Sequence, residues 1–139
     1  MVSGLAMARL LFDRRAIRLC AVLWVAAWVG VAAILLLPLG AVAPPGRSDL
    51  LAHFLTFGAM AFGTVAFARR PGQLAWLALA TIAGATALEF GQRLVPYRSF
   101  DTLDIAANSA GALAGFAAAL IVLCYVIRPA APRYGDATP

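Results

Sequence analysis

Residues 104–127 read DIAANSAGALAGFAAALIVLCYVI, a stretch of 24 residues. A bilayer span takes about 20 predominantly apolar residues, so this one is long enough to cross. Its exceptional positions are not scattered. Asp104, Asn108, Gly111 and Gly115 recur at intervals of four, three and four, which places them on one face of one helix. The glycine pair has the small-xxx-small spacing that lets a second helix backbone approach closely. Three more stretches match it in length and apolarity: Leu19–Leu37, Leu50–Ala68 and Gln73–Phe90. The chain as a whole is 63% hydrophobic and only 12% charged, where a soluble domain is about a quarter charged. The fold class read from this is all-α, a polytopic membrane bundle of four transmembrane helices. A soluble enzyme domain, a disordered chain and a disulfide-stapled secreted domain are excluded.

The net charge of +5 comes from eleven basic residues, all of them arginine. They lie at span ends and form no basic groove, so no nucleic-acid partner is expected. They set orientation instead, because short cytoplasmic loops collect positive charge. Arg9, Arg14, Arg15, Arg18, Arg69, Arg70, Arg128 and Arg133 fall on one side, with two acids; Arg47, Arg93 and Arg98 fall on the other, with four. The arginine-rich side is read as the inside, with both termini cytoplasmic. The chain then divides into a basic cytoplasmic segment (1–18), the membrane domain (19–127) and a short cytoplasmic tail (128–139), in a multi-pass protein of the cytoplasmic (inner) membrane. Ala41-Val42-Ala43 after the first apolar run imitates a signal-peptide cleavage site. The run is longer than an h-region of about 7–15 residues, and Pro44-Pro45 follows the site, so a retained helix is expected. Cys20 and Cys124 have no partner at metal-ligand spacing and are expected to be buried thiols.

The first span carries no charged side chain and is read as scaffold, able to face lipid all round. The second opens with Ser48 as an N-cap and Asp49 in the first turn, where a negative charge suits the helix dipole. His53 and Phe57 continue the face of Asp49. The third closes with Glu89 and Gln92 on one face, and Arg93 stands four residues after Glu89, the order that favours an ion pair. Asp101-Thr102-Leu103-Asp104 has the form of a capping box with Asp101 as cap.

All the polar residues that lipid penalises therefore fall at one depth, the outer ends of the second, third and fourth spans. Ionisable groups within spans are functional-site candidates by default. Each also has a plain structural reading: helix caps for Asp49, Asp101 and Asp104, a headgroup or Glu89 contact for Arg93, a structural hydrogen bond for His53. The signal is their convergence. The candidate catalytic residues are His53, Glu89, Asp101 and Asp104; the candidate substrate-binding residues are Asp49, Gln92, Arg93, Arg98 and Asn108. One histidine without a paired His or Cys is weak support for a transition metal, and no metal or cofactor is assigned.

Asp49-x-x-x-His53-Phe54-x-x-Phe57-Gly58, then Glu89-x-x-Gln92, then Pro96-x-Arg98-Ser99-x-Asp101-x-x-Asp104-x-x-x-Asn108-x-x-Gly111-x-x-x-Gly115 resemble the signature of VanZ-like membrane proteins. The resemblance runs over about half the chain, in order and with close spacing; Leu50 stands where the family often has a basic residue. It implies the helical membrane fold and a site at the outer helix ends. The family takes its name from a protein that gives low-level teicoplanin resistance. Three function classes follow. One is an accessory cell-envelope protein whose outward pocket binds or modifies a lipid-linked or other anionic envelope substrate, with membrane lipids as its other partners. Another is a non-catalytic membrane scaffold. The third, a transporter, is disfavoured because the inner halves of the spans carry no charged side chain.

Overall fold

Asp13 starts the first helix. Its side chain accepts from the Arg15 N–H at 2.9 Å, satisfying one of the orphan donors of a helix N-terminus. In the computed structural model, which describes residues 13–37, 47–96 and 100–127, this helix, α1, runs Arg14–Leu36. It thus begins inside the basic segment, five residues before the expected apolar run. Residues 38–46, with the Ala41-Val42-Ala43 stretch and Pro44-Pro45, lie outside the described residues, as do Tyr97, Arg98, Ser99 and the tail from 128 on.

Three more helices follow: α2 (Arg47–Gly63), α3 (Pro71–Gln92) and α4 (Thr102–Val122). Among the described residues there is no strand, and all four helical segments are long and apolar enough to cross a membrane. The described part of α2 opens at Arg47, one residue before the expected cap Ser48. At its other end α2 tightens into a 3-10 turn, Thr64–Ala66. There the Arg69 guanidinium reaches back to the carbonyls of Val65, Ala66 and Ala68 at 3.0–3.3 Å. That closes off carbonyls a helix end leaves open and puts a cation at the negative pole. Pro71 opens α3, where its missing N–H costs nothing. A π-helical turn, Leu123–Ile127, extends α4.

The bundle is built on α2 against α4. Gly58, Gly111 and Gly115 line that seam, and the backbones touch there. A methyl group at Gly111 would collide with the Phe54 carbonyl, and one at Gly115 with the Gly58 carbonyl. The expected small-residue face is therefore the main helix contact. Val65, Ala68, Leu74, Ala119 and Leu123 form an apolar core at the end where α2 and α4 finish and α3 begins. The polar residues occupy the opposite end.

Helix α1 has no fully buried residue, yet it does not stand apart. Trp24 donates its indole N–H to the Met60 carbonyl at 2.8 Å and packs edge-on against Phe67. Trp28 lies against Phe57, with ring centres 5.9 Å apart. The two tryptophans clamp α1 to α2, so one stripe of this helix faces protein. Cys124 corrects a second expectation: it is exposed on the helix surface, and Cys20 is half-buried; both are free thiols. In a membrane the surface is itself apolar, so a small apolar thiol gains little from the interior.

Candidate functional site

The site begins with the cap of α4. The Asp101 side chain accepts from the Leu103 N–H at 2.8 Å, as a cap should. In a capping box the residue at N3, here Asp104, would reach back to the cap's own N–H. That N–H is instead taken by Glu89 Oε1, at 3.1 Å, from the end of α3. Asp104 is thereby released from capping and turns toward α2.

Glu89 is 1% exposed, so its carboxylate needs partners. Besides the Asp101 N–H it has Gln92 one turn on. With the amide nitrogen turned to Glu89, the distances to the two carboxylate oxygens are 3.0 and 3.1 Å. The opposite orientation offers only a 3.4 Å contact to the Leu35 carbonyl. A hydrogen bond to a carboxylate is the stronger of the two. Glu89, Gln92 and Asp101 together form a clip between α3 and α4.

On the other side of α4 is His53. Its Nδ1 lies 2.9 Å from Asn108 Oδ1. A carboxamide oxygen only accepts, so Nδ1 carries the hydrogen and, in the neutral ring, the lone pair is on Nε2. Nε2 points between two carboxylates, 3.9 Å from Asp49 Oδ1 and 3.9 Å from Asp104 Oδ2. Both distances exceed hydrogen-bond range. The ring is 8% exposed and stacks on Phe57, and Asn108 is 1% exposed; the Asp49 side chain, at 35%, is the open edge of the group. Asp49 and His53 are neighbours by helical spacing, while Asp104 and Asn108 come from α4 across the glycine seam.

Asp49 and His53 also line a pocket of about 200 Å³ between α1 and α2. Thr56, Ala52 and Phe57 continue the α2 wall, and Val31, Ile34 and Leu35 form the facing wall from α1. One wall is thus wholly aliphatic and the other carries an acid and an imidazole. The α1 wall has no sequence signal: every position of that run is apolar, so no periodicity marks the side that faces the pocket.

The expected site residues accordingly separate into two groups. Asp49, His53, Asp104 and Asn108 form one constellation; Glu89, Gln92 and Asp101 form the clip beside it. Arg93 belongs to neither by contact. Its guanidinium lies over the Phe100 ring, 4.8 Å from the centroid, and Phe100 in turn packs on Phe90. The anticipated Glu89–Arg93 ion pair is replaced by this cation–π contact. Phe100, which sequence reading passed over, fixes that arginine. Arg98 lies outside the described residues.

A family model, VanZ/LLP1, matches residues 35–125. The chain belongs to the VanZ/LLP1 family. The match takes in α2, α3 and α4, every site residue, and the end of α1 at Leu35; most of α1 precedes it. This VanZ-like chain is therefore a multi-pass membrane protein by family and by helix composition together. No curated protein and no solved structure gives a significant match.

Proposed function

We propose that this VanZ-like protein serves the cell envelope from the cytoplasmic (inner) membrane, binding or modifying a lipid-linked phosphate in a pocket that opens outward. The observation that carries the reading is the two-sided pocket: the Val31–Ile34–Leu35 wall suits a hydrocarbon chain, and the Asp49–His53 wall suits a polar head. The arginine distribution supports the orientation, both termini inside and the polar ends of α2, α3 and α4 outside. In this reading His53 gives or takes a proton. Asp49 and Asp104 set its charge environment, and Asn108 fixes its ring. Arg93, presented by Phe100, and Arg98 hold phosphate oxygens. Glu89, Gln92 and Asp101 keep α3 and α4 in register around them. Teicoplanin-type resistance fits as a consequence of altered handling of a wall precursor.

Native mass spectrometry of the gently extracted protein tests this. A lipid or polyprenyl phosphate should co-purify with the wild type and be lost from His53→Ala and from Leu35→Trp, which fills the pocket. If the wild type carries no phosphate lipid, or if both variants carry the same one, the pocket is not a substrate site and the protein is a membrane scaffold.

A further inference from the structure

We propose that Asp49, His53 and Asp104 bind a divalent cation beside the pocket between α1 and α2, which two of the three, Asp49 and His53, line. The three side chains each offer one ligand atom, and these atoms all lie within 4.8 Å of one another. A cation with bonds of about 2.0–2.2 Å to nitrogen and oxygen fits between atoms so spaced after small rotations of the two carboxylates.

The independent observation is the imidazole. His53 is more than nine-tenths buried, and its Nε2 has no hydrogen-bond partner among the described residues; it is aimed between the two carboxylates at 3.9 Å from each. Its other nitrogen is tied to Asn108 Oδ1. In metal sites that second-shell bond sets the tautomer and leaves the ligating nitrogen with its lone pair forward. Two carboxylates converging on one imidazole nitrogen favour a positive charge among them, which a bound cation supplies. Two negative charges match one divalent cation. A nitrogen and two carboxylate oxygens suit Zn²⁺ or Mn²⁺ rather than a cation that takes oxygen ligands alone.

The scaffold prepares the site. Asp49 and His53 sit one turn apart on α2. Asp104 is available only because Glu89 has taken the Asp101 N–H. The glycine seam holds α2 and α4 at a fixed distance. Three protein ligands, two of them on the wall of a pocket, leave coordination positions unfilled, as in a working metal site and not a closed structural one. A cation would also explain how a pocket edged by carboxylates receives a phosphate. That role rests on the function proposed above; the binding of the cation does not.

The test uses the full chain in detergent, with any affinity tag removed and metals stripped by EDTA. Mn²⁺ is titrated by electron paramagnetic resonance of the free ion, and Zn²⁺ by calorimetry. One ion per chain should bind. Asp49→Asn, Asp104→Asn and His53→Gln should each weaken binding at least tenfold, Asn108→Ala about 10–100-fold through the second shell, and Asp13→Asn not at all. Thermal melting gives a second readout: the ion should raise the melting temperature of the wild type and not that of Asp49→Asn, whose half-exposed side chain keeps the fold safe. Absence of stoichiometric binding of either ion, or binding unaltered in Asp49→Asn and His53→Gln, overturns the proposal. Ion binding without any co-purified phosphate lipid overturns the proposed function alone. Phosphate lipid retained equally with and without EDTA removes the cation from its recognition.

Discussion

Asp101 and Asp104 stand three residues apart on the same helix start and do different work, because Glu89 occupies the hydrogen-bond donor that would have joined them. This gives Glu89 a measurable structural share. Glu89→Ala leaves the half-buried Asp101 N–H and the buried Gln92 amide without their carboxylate partner, which should cost about 1–3 kcal/mol. Glu89→Gln keeps an acceptor for that N–H and should cost about 1 kcal/mol or less. Thermal denaturation in detergent reads both; equal melting points for alanine and wild type would mean the clip carries no load. His53 sits differently: its Nδ1 is tied to Asn108, a partner that a glutamine amide can keep, while its Nε2 is aimed between the Asp49 and Asp104 carboxylates. His53→Gln and Arg98→Lys should therefore remove the envelope phenotype at normal membrane abundance, whereas in Glu89→Ala phenotype should fall in step with abundance. Envelope-antibiotic susceptibility in the native host, scored against protein level, separates the two patterns. Full phenotype in His53→Gln and Arg98→Lys at normal abundance would remove both residues from the mechanism.

At the scale of helices, the glycines predict a graded series. Gly115→Ala sets a methyl against the Gly58 carbonyl and close to the Phe62 nitrogen, and backbone on both sides cannot step away. The expected loss is about 2–3 kcal/mol, the upper part of the overpacking range. Gly84→Ala meets only the indole edge of Trp28, a side chain that can turn, and should cost less than about 1 kcal/mol. Gly30→Ala meets nothing within 4 Å and should be neutral or stabilising by up to about 1 kcal/mol through helix propensity. Any other order in the melting temperatures contradicts the α2–α4 seam. Helix α1 is joined to α2 by aromatic contacts and by a hydrogen bond of 2.8 Å from Trp24 to the Met60 carbonyl. Trp24→Phe keeps the ring packing and loses that bond, worth about 1 kcal/mol. Faster hydrogen exchange confined to α1 is the expected result; exchange quickened throughout the bundle would show that α1 is part of the cooperative core.

For the whole molecule, the outstanding quantity is direction. Four spans would return the chain to the side it started from, and the arginine split predicts that this side is the cytoplasm. A cysteine introduced at Ser99, with Cys20 and Cys124 replaced by alanine, should react with a membrane-impermeant maleimide added outside intact cells. Reaction only after the cytoplasmic face is opened would invert the molecule and turn the pocket inward.

By itself the sequence determined whatever follows from spacing along a single chain. The four spans come from apolar run length against bilayer thickness. The faces Asp49–His53–Phe57 and Asp104–Asn108–Gly111–Gly115 come from the helical repeat, and the Asp101 cap from residue type. The ordered polar motifs brought the family with them. Only the tertiary structure decided which faces meet. It set Asp104 against His53 in place of its own helix start, divided the polar residues into a clip and a constellation, and gave Arg93 to Phe100. It also made one side of an unbroken apolar helix into a pocket wall. The physical reason is that periodicity records which residues share a face, while contacts between helices depend on how closely two backbones approach. Here that approach is governed by the absent side chains of Gly111 and Gly115 on α4, against the carbonyls of Phe54 and Gly58 on α2.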